Sequence, residues 1–245
     1  MVIGERFAWA HLPKTGGDAT LGLFQLFPDL ILHADARGTN SKHDSFQARE
    51  AEIRGKLLTL NIRRLPAWML SLAQHEAKHG LYPDYRPLPL ACADEIAERT
   101  SADAMLREFT SCGRLPIDRW LRTEHLRQDF LAFLREFTTL SKEQVRLVQR
   151  APMVNAMRYD HNPRHWFTEE QIRRMYRNNP LWAAIEQEVY GSQADVAVRP
   201  WLAGGWKSGV TMPAAWLSSA LSGLRSRAAR PRSGLQAAPY SAASE

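Results

Sequence analysis

The chain has 245 residues, of which 44% are hydrophobic and 24% are charged, and its formal net charge is +6. This composition is typical of a globular protein with one substantial α/β domain or at most two small ones. No apolar run approaches the roughly 20 residues of a transmembrane helix, so we expect no transmembrane segment. The modest basic excess fits a polyanionic cofactor, an acidic or sulfated sugar, or a nucleic acid.

The two cysteines, Cys92 and Cys112, lack metal-ligand spacing and make no disulfide framework. We expect two unbridged thiols in a reducing compartment, with a single bridge between them as the alternative. Glu5 and Arg6 stand directly before the first apolar run, without the pattern of a signal peptide. These features predict a cytoplasmic protein.

The first predicted unit is a strand, a glycine turn and a helix. Residues 7–12 form an apolar run typical of a buried strand, and helical spacing begins near Ala19. Two adjacent glycines let consecutive N–H groups point inward, the helix adds the positive end of its dipole, and a lysine adds a mobile charge. Local physics alone supports an anion-binding loop and an ordinary strand–turn–helix connection equally, because glycine-rich turns are common. The residues of the turn are Pro13, Lys14, Thr15, Gly16 and Gly17.

This turn differs from the loop of nucleoside-triphosphate-binding proteins. That loop has the spacing GxxxxGK followed by Ser or Thr, whereas Lys14 precedes both glycines and no hydroxyl follows to hold magnesium. The chain also lacks a magnesium-binding acid after a strand. The sequence therefore disfavours a nucleotide-dependent kinase.

Further elements follow from periodicity and from helix start and stop signals. Pro66 suits a first helical turn, the run SKEQ at 141–144 is a capping box, and Thr168 is a candidate N-cap. In chain order, we predict a helix at 19–27, a short strand at 30–33, a surface helix at 47–55, a strand at 56–62, helices at 66–80 and 91–109, a strand at 120–124, and helices at 126–137, 140–148 and 167–191.

A second strand-to-helix junction carries the next candidate site. Arg63 follows the strand at 56–62, and Ser71 lies eight residues later, in the helix. A guanidinium at a strand end and a hydroxyl in the following helix can bracket a phosphate. Without the loop upstream, the same pair would indicate a capped surface helix.

The motif HLPKTGG resembles the 5′-phosphosulfate loop of sulfotransferases that use 3′-phosphoadenosine 5′-phosphosulfate (PAPS). It is closest to the carbohydrate branch, which includes the heparan sulfate 2-O- and 6-O-sulfotransferases. The resemblance implies a P-loop-like, three-layer α/β fold with a central, mostly parallel sheet flanked by helices. It also implies PAPS as sulfate donor, no metal, and a hydroxyl acceptor on a saccharide or glycoconjugate rather than a nucleic acid. As the chain lacks the anchor of Golgi enzymes, it resembles a soluble, bacterial-type member.

The resemblance extends to the 3′-phosphate motif of that family, in which a strand-end arginine precedes a serine by eight residues. Arg63 and Ser71 match it. In the family this motif begins with Arg-Asp-Pro or Arg-Asn-Pro, whereas here it begins with Arg63-Arg64-Leu65-Pro66, so the proline stands one position later. Trp68 stands where the family has a second arginine, five residues after the first. Arg64 is therefore an alternative contact for the phosphate.

The resemblance also assigns a catalytic base. In the carbohydrate sulfotransferases a histidine precedes the 3′-phosphate arginine by roughly twenty positions, and His43, in the segment KHDSF, precedes Arg63 by twenty. Histidine suits removal of the acceptor proton because its pKa lies near working pH. Lys14 has the second catalytic role, stabilising charge on the leaving oxygen. His33 is a weaker alternative base, and His11 is expected to be structural.

One position departs from the family pattern. The family prefers Thr or Ser after the paired glycines, and Asp18 stands there. A carboxylate suits a helix N-terminus but repels a phosphosulfate. Either Asp18 points away and Thr20 supplies the hydroxyl, or the site has lost catalysis. The second case describes a non-catalytic protein of this fold that binds a nucleotide or polyanion.

Three predictions concern the later part of the chain. Glu124 ends a predicted strand and is expected to be structural, with acceptor contact as the alternative. The resemblance places Arg158, Tyr159 or Trp166 over the nucleotide. We predict a sulfotransferase-like domain at 1–191 and a basic tail at 192–245, rich in Ala, Ser, Gly and Pro and disordered from about Arg225. A short helix in that tail could touch an anionic surface or a partner, although a weakly ordered tail is the simpler reading.

Overall fold

The computed structural model describes residues 1–35, 43–79, 92–111, 115–152 and 159–191. All of them belong to the first of two compact units, Met1–Gly204, and the predicted tail at 192–245 lies outside the described residues. No helix in the described ranges is long and apolar enough to cross a membrane.

Five strands form one mixed sheet in the order β3-β1-β2-β4-β5. β2 pairs parallel with β4, and β4 pairs parallel with β5, whereas β1 runs antiparallel to both β2 and β3. In the parallel core, Trp9 lies opposite Thr59, and Asn61 lies opposite Leu121. The strands are β1 (Val2–Ile3), β2 (Phe7–Ala10), β3 (His33–Ala34), β4 (Leu57–Ile62) and β5 (Arg119–Arg122).

The helices follow the strands in the alternation expected of an α/β protein. They are α1 (Gly17–Phe24), α2 (Glu50–Ile53), α3 (Leu65–Lys78), α4 (Ala93–Ala97), α5 (Ser101–Phe109), α6 (Leu126–Leu134), α7 (Lys142–Arg150), α8 (Pro163–Trp166), α9 (Glu169–Asn178) and α10 (Pro180–Tyr190). The predicted α/β fold is confirmed at a coarser level, as a mixed sheet with a parallel core, β2-β4-β5, packed against helices.

Alternate residues of β2 enter two separate hydrophobic clusters, because successive strand side chains point to opposite faces. Phe7 and Trp9 pack with residues of α1 and α6, including Phe24 and Phe130. Ala8 and Ala10 belong to the other cluster, with residues of α3, α5, α9 and α10. Small residues on one face of β2 and large rings on the other thus match two different helix layers.

Two helix starts behave as their sequences predict. Ser141 and Gln144 form a complete capping box at α7, and Thr168 forms one with Gln171 at α9. Each box satisfies N–H groups that a helix start leaves without an intrahelical acceptor.

The predicted helix at 167–191 is two helices. The residue before a proline avoids the helical region, and Asn179, before Pro180, has φ −128° and ψ 62°. Asp103 of α5 then accepts hydrogen bonds from the backbone nitrogens of Leu181 (3.0 Å) and Trp182 (2.8 Å). This buried carboxylate caps α10 from another helix, and burial raises its pKa.

Other predicted boundaries shift by a few residues. The helix predicted at 91–109 is also two, α4 and α5, and the surface helix at 47–55 is a 3₁₀ turn followed by α2. The strand predicted at 30–33 is the two-residue β3. β1 was not predicted, because two apolar residues are too short to show a period.

Candidate functional site

The candidate site lies where the three parallel strands end. β2, β4 and β5 stop at Ala10, Ile62 and Arg122, which parallel pairing brings to one edge of the sheet. In open α/β sheets, ligands bind outside the carboxyl ends of the strands. The segment that follows β2, residues 11–16 (the 11–16 loop), therefore meets the segments that follow β4 and β5.

Every carbonyl oxygen of the 11–16 loop accepts a hydrogen bond from a surrounding group. His43 Nδ1 donates to the carbonyl of His11 (3.3 Å), the Thr15 hydroxyl to that of Leu12 (2.7 Å), and Trp68 Nε1 to that of Pro13 (2.9 Å). Arg63 Nη1 donates to the carbonyl of Lys14 (3.4 Å), while Asn61 Nδ2 (3.2 Å) and the Thr123 hydroxyl (2.7 Å) both donate to that of Thr15. The carbonyl of Gly16 accepts from the N–H (3.0 Å) and the hydroxyl (3.2 Å) of Thr20.

The amide groups at the end of this loop and the start of α1 differ from these carbonyl groups. Within the described ranges, no hydrogen bond has the N–H of Thr15, Gly16 or Gly17 as its donor. Gly16 is left-handed (φ 82°, ψ 21°) and Gly17 begins α1, a succession that forms a concave nest of N–H groups. With its carbonyl dipoles held by the protein, the loop can present these amides to an anion.

The two glycines are required for different reasons. Gly16 adopts a positive φ that is costly for other residues. A Cβ on Gly17 would come within 1.8 Å of His11 Cδ2, so the His11 ring lies directly against this residue. Lys14 also has a positive φ, 64°, although it is not glycine. Such strain clusters at functional sites.

Asn61 is the buried anchor of the loop. Its amide accepts a hydrogen bond from Trp9 Nε1 (2.6 Å) and donates to the Thr15 carbonyl and to the Thr20 hydroxyl (2.8 Å). Thr20 is fully buried, and its hydroxyl hydrogen goes to Gly16. In this conformation Thr20 therefore supports the loop and offers no hydroxyl donor to a ligand. This differs from the prediction that Thr20 supplies the hydroxyl that is missing at position 18.

The arginine pair after β4 splits between two directions. Arg63 Nη1 lies 3.4 Å from the Lys14 carbonyl oxygen, and this half-buried guanidinium forms no ion pair in the described part of the chain. Arg64 Nη1 instead meets Glu186 Oε1 at 3.2 Å, and its guanidinium lies 4.4 Å from the centre of the Tyr190 ring. Geometry thus brings Arg63, and not the alternative Arg64, to the 11–16 loop.

Ser71 lies one helical turn beyond Trp68 on α3, a spacing that places both on the same helix face. Trp68 donates to the Pro13 carbonyl, so this face of α3 adjoins the loop. Ser71 is 8% exposed. Trp68, at the position where the sulfotransferases that the motif resembles have a second arginine, fastens the loop.

His43 is connected to the loop through His11. Their ring centres are 4.5 Å apart, and His43 Nδ1 lies 3.3 Å from the His11 carbonyl oxygen. Because a carbonyl only accepts, this contact requires the hydrogen on Nδ1, which gives neutral His43 its basic lone pair on Nε2. His33, the alternative base, lies on β3 and contacts Asp35 at 3.0 Å. The sheet order places it away from the carboxyl ends of the core strands.

The remaining predicted residues have mostly structural contacts. Glu124 accepts from the Arg64 backbone nitrogen (3.2 Å) and contacts the Tyr190 hydroxyl, as expected of a structural residue. Tyr159 and Trp166 pack on a core cluster, while Arg158 lies outside the described residues, as does Cys112. Asp18 stands in the first turn of α1.

Sequence reasoning missed Asn61, Thr123 and Glu186. Their polar side chains at strand ends or in an apolar helix were visible, but their partners lie far away in the sequence. No group of three or more His, Cys, Asp or Glu side chains within the described ranges could hold a metal ion.

Comparisons with protein-family profiles, with curated protein sequences and with solved structures gave no match.

Proposed function

We propose that the protein is a PAPS-dependent sulfotransferase that moves a sulfuryl group to a hydroxyl, with a saccharide or glycoconjugate as the acceptor class. The observation that carries the proposal is the 11–16 loop, whose carbonyls are held by the protein while the amides of Thr15, Gly16 and Gly17 remain for an anion. The HLPKTGG resemblance selects the phosphosulfate among anions. The finer fold assignment, three-layered and P-loop-like, is part of this proposal.

The two predicted phosphate contacts fit this assignment. Lys14 and the amides of Thr15 to Gly17 bind the 5′-phosphosulfate, while Arg63 and Ser71 bind the 3′-phosphate. Arg63 supports this role because its guanidinium has five N–H donors and, within the described ranges, gives one hydrogen bond to the protein, a long one of 3.4 Å. A partly buried cation without a carboxylate partner in the described ranges favours an anionic ligand.

The chemistry follows from these positions. His43 Nε2 takes the proton of the acceptor hydroxyl as its oxygen attacks sulfur in line. The new oxygen–sulfur bond forms while the bond from sulfur to the bridging phosphate oxygen breaks, leaving 3′-phosphoadenosine 5′-phosphate (PAP). Lys14 and the loop amides stabilise the negative charge that develops on the bridging oxygen.

A second candidate is a non-catalytic protein that keeps the donor site and binds a nucleotide or polyanion. Asp18, in the first turn of α1 beside the loop amides, favours it because a carboxylate there repels a phosphosulfate. The two candidates share the anion site and differ in turnover.

Calorimetry with PAP and with ATP, followed by transfer of radiolabelled sulfate from PAPS to extracts of the source organism, tests the proposal. We expect PAP to bind more tightly than ATP and label to appear on an acceptor.

Lys14→Ala should lower the transfer rate by about 10²–10³-fold, whereas the exposed control Lys142→Ala should behave as wild type. PAP binding without turnover would favour the second candidate, and full activity in Lys14→Ala would contradict the site.

A further inference from the structure

One face of α10 holds the junction between β4 and α3. Trp182, Glu186 and Tyr190 are spaced four residues apart, which places them on one side of the helix. Each of them contacts a residue between Ile62 and Leu65. This set of three residues is called the α10 clamp below.

The clamp grips both backbone and side chain. Trp182 Nε1 donates to the Arg63 carbonyl oxygen (2.9 Å), and the Tyr190 hydroxyl lies 3.3 Å from the Ile62 carbonyl oxygen. Glu186 Oε2 accepts from the Leu65 backbone nitrogen at 2.8 Å, at the start of α3. The backbone at 62–65 is therefore contacted at three residues, Ile62, Arg63 and Leu65.

Two residues of the clamp, Glu186 and Tyr190, also contact the Arg64 side chain. Glu186, with 2% of its side chain exposed, pairs with the guanidinium at 3.2 Å, while the Tyr190 ring lies beneath it. Glu186 also accepts from the Tyr176 hydroxyl at 2.9 Å. A buried carboxylate that is hydrogen-bonded on both oxygens has one position, so Arg64 is fixed with it.

The side chains of two successive residues after a strand project in different directions. With Arg64 fixed on α10, Arg63 is the arginine that reaches the Lys14 carbonyl. If Arg64 were released, two neighbouring guanidinium groups would compete for the same loop, and their mutual repulsion would disfavour the present arrangement.

We propose that Glu186 is a positioning residue that holds Arg64 on α10 and thereby directs Arg63 to the anion held by the 11–16 loop. The ligand in this statement rests on the proposed function. The geometric part concerns the arginine pair alone and can be tested without ligand.

The first experiment is structural. Crystal structures of wild type, Glu186→Gln and the control Glu188→Gln would be compared without ligand at about pH 8, where the wild-type Glu186 carboxyl is ionised. Glu188 is exposed on the same helix. Glutamine still accepts from the Leu65 nitrogen but carries no charge to hold Arg64. We expect Arg64 to leave α10 and Arg63 to lose its contact with Lys14 in Glu186→Gln alone. An unchanged Arg63–Lys14 contact in that variant would overturn the proposal.

The second experiment measures PAP affinity by calorimetry at about pH 8, where the Glu186 carboxyl is ionised. We expect Glu186→Gln to bind PAP about tenfold more weakly, as for a lost guanidinium–phosphate contact, and Glu188→Gln to bind as wild type. Replacing the competing arginine as well, in Glu186→Gln/Arg64→Leu, should restore the affinity. A merely structural role of Glu186 would not be rescued by this second substitution, so absence of rescue would count against the proposal.

Two further variants decide the matter if Glu186→Gln does not fold. Arg64→Leu alone should keep PAP affinity within about twofold of wild type, whereas Arg63→Leu should lose at least about tenfold. Equal losses in both would overturn the proposal. If wild type itself does not bind PAP, the proposed function fails, and the structural experiment alone then decides the role of Glu186.

Discussion

At the scale of single residues, the proposed role of His43 divides between its two ring nitrogens, with Nδ1 at 3.3 Å from the His11 carbonyl oxygen and Nε2 assigned the acceptor proton. Asparagine can imitate the Nδ1 donor but has no group at Nε2. We predict that His43→Asn keeps the contact with the His11 carbonyl and leaves PAP affinity unchanged, while the sulfate-transfer rate falls by about 10²–10⁴-fold. Single-turnover kinetics would measure the rate and calorimetry the affinity. A normal transfer rate would remove His43 from the mechanism.

The close approach of His11 to Gly17 gives a second prediction. A methyl group at Gly17 would enter the His11 ring, which itself stacks on Trp9 and meets the His43 ring at a tilt of 55°. Gly17→Ala should lower the free energy of unfolding by at least about 2 kcal/mol, because the ring has to move.

Gly55→Ala is the matched control for this substitution. Gly55 has a positive φ of 74° and open space where a Cβ would stand, so backbone strain alone should lower the free energy of unfolding of the variant by about 1 kcal/mol. Urea unfolding would compare the two free energies. Equal losses would show that the contact between His11 and Gly17 is unimportant.

Much of the candidate site could be predicted from local sequence, and the rest could not for a clear reason. Lys14, the two glycines and Arg63 stand in short motifs after strands. Asn61 and Thr123 act on the Thr15 carbonyl across 46 and 108 residues of chain. No motif records such distant hydrogen bonds, so these supports become visible only in the folded protein.

At the scale of elements, Thr123 connects three strand ends. Its hydroxyl lies 2.7 Å from the Thr15 carbonyl oxygen, after β2, and 3.0 Å from the Ile62 carbonyl oxygen, at the end of β4. Thr123→Val keeps the shape and removes the hydroxyl. We predict a loss of only about 1 kcal/mol in the free energy of unfolding, since both carbonyls retain one other donor. We also predict weaker PAP binding, because the loop loses one of its supports.

Thr123→Ser is the control for that prediction, because it keeps the hydroxyl and loses the methyl group. Chemical denaturation and calorimetry on the two variants would separate the roles of the two groups. A serine variant as weak as the valine variant would assign the effect to the Thr123 methyl group, which lies 3.3 Å from where a Cβ of residue 16 would stand.

The elements themselves were largely predictable, and the errors share a cause. Strands and long helices showed their periods, whereas the breaks at Asn179 and between α4 and α5 depend on local backbone conformation. Pro180 was a visible signal for one of these breaks. The apolar period continues through it, because α9 and α10 pack on the same cluster, and this continuity concealed the interruption.

At the scale of the whole molecule, Glu186 couples stability to pH. Burial raises the pKa of Glu186 from 4.5 to about 7, against the opposing effects of Leu65, Tyr176 and Arg64. The folded protein therefore keeps a proton that the unfolded chain releases above about pH 4.5. The stabilisation from this proton is fully present below pH 4.5 and is lost as pH rises through about 7.

Glu186→Gln removes this titration. Between about pH 4.5 and 7.5 the free energy of unfolding of wild type should fall relative to that of the variant, by up to about 3 kcal/mol. Thermal or urea unfolding across this range would measure the difference, with Glu188→Gln expected to follow wild type. Parallel pH profiles for wild type and Glu186→Gln would contradict the raised pKa.

The α10 clamp also sets the order in which the site can be completed during synthesis. The 11–16 loop, Arg63 and Ser71 are all translated early, whereas the contacts that separate Arg63 from Arg64 join residues 119 to 122 positions apart. A nascent chain that has not yet reached α10 contains every predicted donor-binding residue but has no clamp to choose between the two arginines. The residues that complete the site are therefore translated long after the residues that begin it. Chains terminated before residue 180 should contain the loop and both arginines without the contacts that direct Arg63 and Arg64 apart.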